Sequence, residues 1–233
     1  MENKIIVGNM KMYMNYKDAL AYINDLQLKS PNVIMCPTSI YADAFLKNGY
    51  KTGLQNITEH DLGAYTGEIS TLQAKSMGIE YVIVGHSERR KYFNETDELV
   101  NKKIKNAIAN NLKVIVCIGE EQGANALQVT KEQLEVAFRD INDLSSVIIA
   151  YEPIWAIGTN VIPTNNQIDE IAVMIKAFVK KTYNSDIKVL YGGSINASNI
   201  QELNKITNID GFLVGKASTN AVDFKKIIEV TLN

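Results

Sequence analysis

The sequence has few of the residues that hold small secreted domains or metal sites together. Its 233 residues include two cysteines, Cys36 and Cys117, and two histidines, His60 and His86. Two cysteines are too few for a disulfide framework, and both lie at the ends of apolar runs, which is typical of a reducing compartment. The histidines form no cluster with cysteine or acidic residues at metal-ligand spacing. We therefore expect a cytoplasmic protein that binds no metal.

The sequence also lacks a strong excess of one charge and any long apolar segment. It carries 24 basic and 26 acidic side chains, a net charge of −2, which argues against a nucleic-acid-binding domain. No apolar segment reaches the ~18 residues of a membrane span, and we expect neither a membrane span nor a signal peptide. Because no linker, charge block or low-complexity tract divides the chain, we predict one domain over residues 1–233.

Eight short runs rich in valine, isoleucine and leucine recur along the whole sequence. They are Ile5 to Val7, Val33 to Met35, Thr52 to Leu54, Tyr81 to Val84, Val114 to Ile118, Val147 to Tyr151, Lys188 to Tyr191 and Phe212 to Val214. Each is continuous rather than alternating, which is typical of parallel strands that are covered on both faces. The pattern predicts eight buried strands.

Segments with helical periodicity lie between these runs. The clearest begins at Thr164 and Gln167, which have capping-box spacing, and ends at Lys180 and Lys181, which complement the helix dipole. Its apolar face consists of Ile168, Ile171, Ala172, Ile175, Phe178 and Val179. Two further apolar faces are Val100, Ile104, Ala107 and Ile108, and Leu134, Phe138 and Ile141. Strands and helices therefore alternate, which indicates an α/β fold.

This alternation fits either a closed (β/α)8 barrel or an open doubly wound sheet, and periodicity alone does not distinguish them. An open dinucleotide-binding sheet would carry G-x-G-x-x-G after its first strand, and this sequence has no such motif there. We therefore predict the closed barrel. The active site of such a barrel lies at the carboxyl ends of the strands, so polar residues that follow the apolar runs are the candidates for chemistry.

His86 and Glu152 are the first two candidates, after the fourth and the sixth run. A helix begins directly after His86, and its N-terminus should lower the imidazole pKa and keep the ring neutral. Glu152 precedes a loop with Trp155, and burial under that loop should raise its pKa and make it a competent base. The alternatives are a histidine that satisfies loop backbone groups and an ordinary solvated glutamate.

Small residues after the seventh and eighth runs suggest an anion site. The segments 191–194 and 214–217 leave backbone N–H groups accessible ahead of the following helices, as a phosphate cradle requires. Lys11, after the first run, adds a positive charge on the same face. The alternatives are two tight turns without a ligand and a solvated surface lysine.

Five segments of the sequence resemble the triosephosphate isomerase family, and the resemblance runs from end to end. They are Gly8 to Met12, Ala64 to Glu68, Val84 to Arg90, Tyr151 to Thr159 and Tyr191 to Ser194. The resemblance implies a TIM barrel that interconverts dihydroxyacetone phosphate and D-glyceraldehyde 3-phosphate in glycolysis and gluconeogenesis. It also implies a homodimer that needs no cofactor and no metal.

The resemblance implies a role for each candidate catalytic residue. Glu152 matches the base that moves the proton, and His86 matches the neutral electrophile that polarises the carbonyl. Asn9 and Lys11 match the polar pair beside the substrate, where the ammonium group stabilises the enediolate and attracts phosphate. Glu88 matches the carboxylate that supports this array.

Three further sets of residues are implied in the same way. The backbone N–H groups that hold phosphate match Gly158, Ser194, Gly215 and Lys216. The lid loop that excludes water matches Pro153, Ile154, Trp155, Ala156, Ile157, Gly158 and Thr159. Tyr65 and Thr66 match the loop that enters the partner subunit's active site.

The sequence departs from the family pattern at several places. The family usually has Trp at Met10 and Asn at Tyr13, which should change the packing behind Lys11 but not its charge. The far hinge of the lid, 160–163, has a restricted backbone that puts the rate of opening in doubt. Lys216 replaces a glycine, and we expect its backbone rather than its charge to hold the phosphate.

Two rival functions remain at this point. A different sugar-phosphate barrel enzyme would share the phosphate cradle, but it would not need the motifs of His86 and Glu152 together. A catalytically silent sugar-phosphate-binding barrel would have lost Glu152, His86 or Lys11, and all three are present.

Overall fold

Eight parallel strands form one sheet at the centre of the molecule, in a computed structural model that describes residues 4–159 and 161–232. The strands are β1 (Ile5–Asn9), β2 (Val33–Cys36), β3 (Gly53–Leu54), β4 (Tyr81–Val84), β5 (Lys113–Ile118), β6 (Val147–Tyr151), β7 (Lys188–Tyr191) and β8 (Gly211–Val214). Every predicted apolar run forms one of these strands, and the ends differ by at most two residues.

The order of the strands makes the sheet a nearly closed barrel. Neighbours follow the order β2-β1-β8-β7-β6-β5-β4-β3, and every pair is parallel. A single bridge between Met35 and Thr52 joins β2 to β3, and the Met35 N–H donates to the Lys51 carbonyl at 2.8 Å. The predicted α/β barrel is therefore confirmed and the open doubly wound sheet is excluded.

Helices surround the barrel and connect successive strands. Within the described residues they are α1 (Tyr16–Leu26), α2 (Ala42–Lys47), α3 (Thr71–Ser76), α4 (Ser87–Phe93), α5 (Asp97–Ala109), α6 (Ala126–Ala137), α7 (Asn165–Tyr183), α8 (Ile200–Leu203) and α9 (Ala221–Leu232). No helix in these described segments is long and apolar enough to cross a membrane.

Local sequence signals explain where the long helices begin and end. The predicted capping box precedes α7: the Thr164 hydroxyl accepts from the Gln167 N–H at 3.3 Å, and the Gln167 side chain accepts from the Thr164 N–H at 2.9 Å. Ile141 does not continue α6 as its spacing predicted, because the helix ends before Phe138 and the chain turns at Asp140, where φ is +59°. Ile141 is nevertheless buried.

Two apolar layers cover the two faces of the strands. The inner layer fills the barrel with side chains from the strands alone: Val7, Ile34, Cys36, Tyr81, Ile83, Ile115, Cys117, Ile148, Ala150, Leu190 and Leu213. The outer layer packs the alternate strand residues against the helices. Because both faces are buried, the strands read as continuous apolar runs, and polar residues collect where the strands end.

Candidate active site

The carboxyl ends of the strands surround a cavity of about 750 Å³. Its lining includes every predicted catalytic and phosphate-binding residue: Asn9, Lys11, His86, Glu152, Gly158, Ser194, Gly215 and Lys216. Tyr13 also lines it, whereas Met10 is buried in the outer layer of the core. Residues that are far apart in the sequence thus meet at one rim of the barrel.

The position and tautomer of His86 follow from the turn that joins β4 to α4. Gly85 has φ +70°, and His86 is the N-cap of the helix. The Nδ1 atom accepts a hydrogen bond from the Glu88 N–H at 3.2 Å. In the neutral ring the proton is therefore on Nε2, which lies 3.2 Å from Glu152 Oε1 inside the cavity.

The pKa values of His86 and Glu152 are set by each other. Burial lowers the pKa of His86, but the adjacent Glu152 carboxylate outweighs burial and raises it above the ordinary value. Burial raises the pKa of Glu152, but His86 and a hydrogen bond from the Cys117 thiol outweigh burial and lower it. Both predicted directions are therefore wrong for this arrangement, because the sequence did not reveal the direct contact between the two side chains.

Lys11 is held in an unfavourable backbone conformation beside His86 and Glu152. Its φ of +50° is a left-handed value that costs a non-glycine residue on the order of 1–3 kcal/mol. The Lys11 carbonyl accepts from Thr38 Oγ1 at 3.0 Å and from Gln55 Nε2 at 2.9 Å. Its Nζ lies 2.6 Å from Glu88 Oε1. The ammonium group is thereby fixed at the cavity wall.

Glycine provides the space that Glu152 occupies. A Cβ added to Gly192 would come within 2.8 Å of Glu152 Cγ and 3.3 Å of its Oε1. Any larger residue at the end of β7 would therefore push the carboxylate out of place. Lys216, by contrast, begins a short 3₁₀-helix, Lys216–Thr219, without a positive φ, so a side chain is tolerated there.

The predicted lid segment, 153–159, contains a 3₁₀-helix, Ile154–Ala156, and Glu120 anchors this helix. The buried Glu120 carboxylate accepts from Trp155 Nε1 at 2.8 Å and from the Tyr151 hydroxyl at 3.3 Å. At the other end of the lid, Asn160 of the predicted hinge lies outside the described residues.

Sequence reasoning missed Glu120 and Cys117. Both lie at the end of β5, which is the same rim that supplied the other candidates. An inspection of the fifth run could have found Glu120, because it is a carboxylate two residues beyond a buried strand. The thiol gives no comparable signal, since a buried cysteine is an ordinary core residue.

A second cavity, of about 690 Å³, adjoins the first and shares Asn9, Lys11 and His86 with it. Its outer wall includes the exposed apolar side chains of Met12, Tyr92 and Phe93, together with Glu88. The predicted dimer loop contributes neither Tyr65 nor Thr66 to the lining. Both residues are exposed, as are all the residues of the segment 61–68.

No group of three or more histidine, cysteine or acidic residues in the described part of the chain is arranged to hold a metal ion. The side chains of His86 and Glu152 contact each other, and Lys11 contacts Glu88. Two lysines, Lys11 and Lys216, line the first cavity together with His86 and Glu152.

Comparison with known proteins agrees with this geometry. The family model described as triosephosphate isomerase matches residues 4–231. The triosephosphate isomerase of Alkaliphilus oremlandii is 44% identical, over 98% of this chain and 99% of the relative. That of Chloroherpeton thalassium is 41% identical over 98% and 99%, and that of Thermodesulfovibrio yellowstonii is 38% identical over 98% and 100%.

Proposed function

The chain belongs to the triosephosphate isomerase family, and we propose that Glu152, His86, Lys11 and Asn9 carry out its proton transfer. The reaction is the interconversion of dihydroxyacetone phosphate and D-glyceraldehyde 3-phosphate, which belongs to glycolysis and gluconeogenesis. The observation that carries the residue assignment is the 3.2 Å contact between Glu152 Oε1 and His86 Nε2 within the polar cavity.

In the first step, the Glu152 carboxylate takes a proton from C1 of dihydroxyacetone phosphate. The electron pair of the broken C–H bond forms the C1–C2 double bond, and the carbonyl oxygen gains the negative charge. The Nε2–H group of His86 donates to that oxygen, and the Lys11 ammonium group stabilises the charge. His86 Nε2 then gives its proton to the C2 oxygen and takes one from the C1 hydroxyl, which moves the negative charge to the C1 oxygen. That charge forms the C1 carbonyl while the electrons of the C1–C2 double bond take the proton back from Glu152 at C2, which gives the aldehyde.

Substrate binding changes the contact on which the pKa values depend. A substrate between Glu152 and His86 separates them, which removes the carboxylate that raises the pKa of His86. Burial and the Glu88 N–H bond to Nδ1 then favour the neutral ring. In the same way, Glu152 loses the partner that lowers its pKa and becomes a stronger base.

The phosphate group occupies the opposite side of the cavity in this proposal. Backbone N–H groups of Gly158, Ser194, Gly215 and Lys216 hold it, and the lid residues 153–159 cover it. Support comes from the position of all four in the cavity lining. Covering the substrate excludes water, so that the enediolate is not lost to phosphate elimination.

We further propose a cytoplasmic homodimer in which the 1–233 chain forms a single barrel. The loop with Tyr65 and Thr66 would enter the second cavity of the partner subunit, beside Lys11 and His86. Support comes from the exposed loop and from the exposed apolar wall that Tyr92 and Phe93 give to that cavity. The partner's loop would complete the wall of the active site.

A coupled assay for glyceraldehyde 3-phosphate formation tests the proposed function. We expect turnover of dihydroxyacetone phosphate without added metal or cofactor, competitively inhibited by inorganic phosphate. Binding of dihydroxyacetone phosphate without turnover would instead identify the silent sugar-phosphate-binding barrel. No binding and no turnover would contradict both functions.

A further inference from the structure

A buried ionic cluster lies behind the turn that carries His86, and of its members Arg89 reaches the wall of the second cavity. Its centre is Glu95, in the short connection between α4 and α5. The side chain of Glu95 is 1% exposed and that of Lys103, on α5, is 4% exposed. Burying charged groups is costly unless each is paired and hydrogen-bonded, so such a cluster calls for a specific purpose.

The Glu95 carboxylate binds both its ionic partners and the backbone of the turn. Oε2 accepts from Lys103 Nζ at 2.7 Å and from Arg89 Nε at 2.8 Å. Oε1 accepts from the Gly85 N–H at 2.8 Å. Oε2 therefore binds the two cationic side chains, and Oε1 binds the backbone N–H of the residue before His86.

The charged side chain of Arg90 binds the carbonyl group of Gly85. Arg90 Nε donates to the Gly85 carbonyl at 2.7 Å, and Arg90 is itself fixed by Asp97 at 2.5 Å. Gly85 has φ +70°, and an added Cβ would have Arg90 Nη2 and Val100 Cγ2 at 3.0 Å. Both hydrogen-bonding groups of this flexible residue are thus bound to charged side chains.

We propose that Glu95 is a positioning residue, which fixes the Gly85 peptide so that His86 Nε2 stays directed at the reacting atoms. Glycine has no Cβ to restrict its dihedral angles, so the direction in which the chain enters His86 depends on these hydrogen bonds. A small rotation at Gly85 displaces the imidazole ring, which must keep close geometry with the substrate. This proposal rests on the role given to His86 in the proposed function.

We expect the loss of the Glu95 carboxylate to leave the phosphate side of the cavity unchanged. Gly158, Ser194 and Gly215 follow other strands, whereas the hydrogen bonds of Glu95 run to Gly85, Arg89 and Lys103. We therefore expect a loss of Glu95 to lower kcat while KM changes little. A cluster that only stabilises the fold would lower the free energy of unfolding and leave the kcat of the folded enzyme unchanged.

The experiment compares two variants that differ only in the carboxylate. Lys103→Met removes the buried ammonium group and leaves Glu95 bonded to Gly85 and Arg89. The double variant Glu95→Ala/Lys103→Met also removes the acceptor for the Gly85 N–H, without leaving a buried ammonium group unpaired. We expect kcat within threefold of the parent for Lys103→Met and at least tenfold lower for the double variant, with KM changed by less than threefold.

A conservative variant and a spectroscopic measurement accompany the kinetics. Glu95→Gln/Lys103→Met keeps an oxygen that can accept from the Gly85 N–H. On a logarithmic scale, its kcat should therefore lie at least halfway from that of the alanine double variant to that of Lys103→Met. The chain has only two histidines, so ¹⁵N-histidine labelling gives a simple imidazole spectrum, in which His60→Gln identifies the His86 signals. We expect the His86 Nε2–H signal to broaden in the alanine double variant alone.

Three results would overturn the proposal. One is an alanine double variant with the kcat and the His86 spectrum of Lys103→Met. Another is a glutamine double variant as slow as the alanine variant. The third applies if the alanine double variant does not fold. In that case the proposal is overturned when the kcat of the glutamine double variant is more than tenfold below that of the parent. An inactive parent would contradict the proposed function, and the His86 spectrum would still test the positioning role.

Discussion

Single residues at the rim of the barrel owe their properties to neighbours that are remote in the sequence. Glu152 and His86 are 66 positions apart and lie 3.2 Å from each other. Each reverses the effect of burial on the pKa of the other. The strand-end rule could identify both residues, but it could not give the direction of either pKa, because the sequence contains no information on side-chain distances.

Glu152→Gln should leave the fold and phosphate binding intact and lower kcat by at least ~10³, the upper part of the range for a general base. Glutamine fits the same space beside Gly192 but cannot accept the proton. The measurement is the coupled assay, with the inhibition constant of inorganic phosphate as the control for an intact anion site. Activity within tenfold of the parent would contradict the assignment of the base.

Lys216→Gly should change kcat/KM by less than about tenfold, or ~1.4 kcal/mol. The reason is that a backbone N–H, which glycine retains, makes the proposed phosphate contact. Because Lys216 lacks a positive φ, glycine should also cost a few tenths to ~1 kcal/mol of folding free energy through chain entropy. Steady-state kinetics and urea unfolding measure the two effects.

The outcome that would overturn this expectation is a hundredfold loss of kcat/KM that arginine restores but alanine and methionine do not. The side-chain charge would then bind the substrate. Lys225→Met, an exposed lysine of α9 close in the sequence, is the control for a change in net charge.

At the scale of elements, the cluster around Glu95 joins β4, α4 and α5 into one unit. Burial raises the pKa of Glu95, but the hydrogen bonds and charges of Lys103 and Arg89 outweigh burial, so the pKa lies below its ordinary value of 4.5. Below that value the unfolded chain binds a proton that the folded chain does not yet bind. The free energy of unfolding therefore falls as the pH decreases from about 4.5 through the folded-state pKa.

Urea unfolding between pH 7 and pH 3 checks this dependence. We expect Glu95→Gln to lower the free energy of unfolding at pH 7 and to make its decline below pH 4.5 shallower than in the parent. Glu132→Gln, at an exposed position of α6, is the matched control. Parallel declines in the parent and the Glu95 variant would show that this carboxylate does not couple folding to pH.

The elements themselves were predictable to different degrees. Continuous apolar runs identified all eight strands, because burial on both faces confines polar residues such as Asn9, Lys113 and Lys188 to the strand ends. The capping box identified the start of α7, since both of its hydrogen bonds are local. The end of α6 and the contacts of Glu120 and Glu95 were not predictable, because they depend on a turn at Asp140 or on side chains from other elements.

At the scale of the whole molecule, the exposed segment 61–68 and the second cavity indicate how two copies would assemble. Replacing Tyr65 and Thr66 together by glutamate should prevent the proposed dimer and reduce activity, even where the monomer stays folded. Sedimentation velocity and the coupled assay measure the two effects. Val173→Glu, at an exposed apolar position of α7, is the control, and a fully active monomer would contradict the proposal.

The seam between β2 and β3 has a consequence for how the molecule responds to heat. One bridge joins these strands, whereas β1 and β2 share four paired positions. Beyond this bridge, toward the carboxyl ends of the strands, Gln55 Nε2 donates to the carbonyls of both Cys36 and Lys11. The Gln55 amide group therefore connects β2 to the segment after β3 and also holds the strained Lys11. Fraying of the seam and displacement of the Lys11 ammonium group are thus one event. Amide hydrogens beside Met35 should exchange early during warming, and turnover should fail while the helical circular dichroism signal persists.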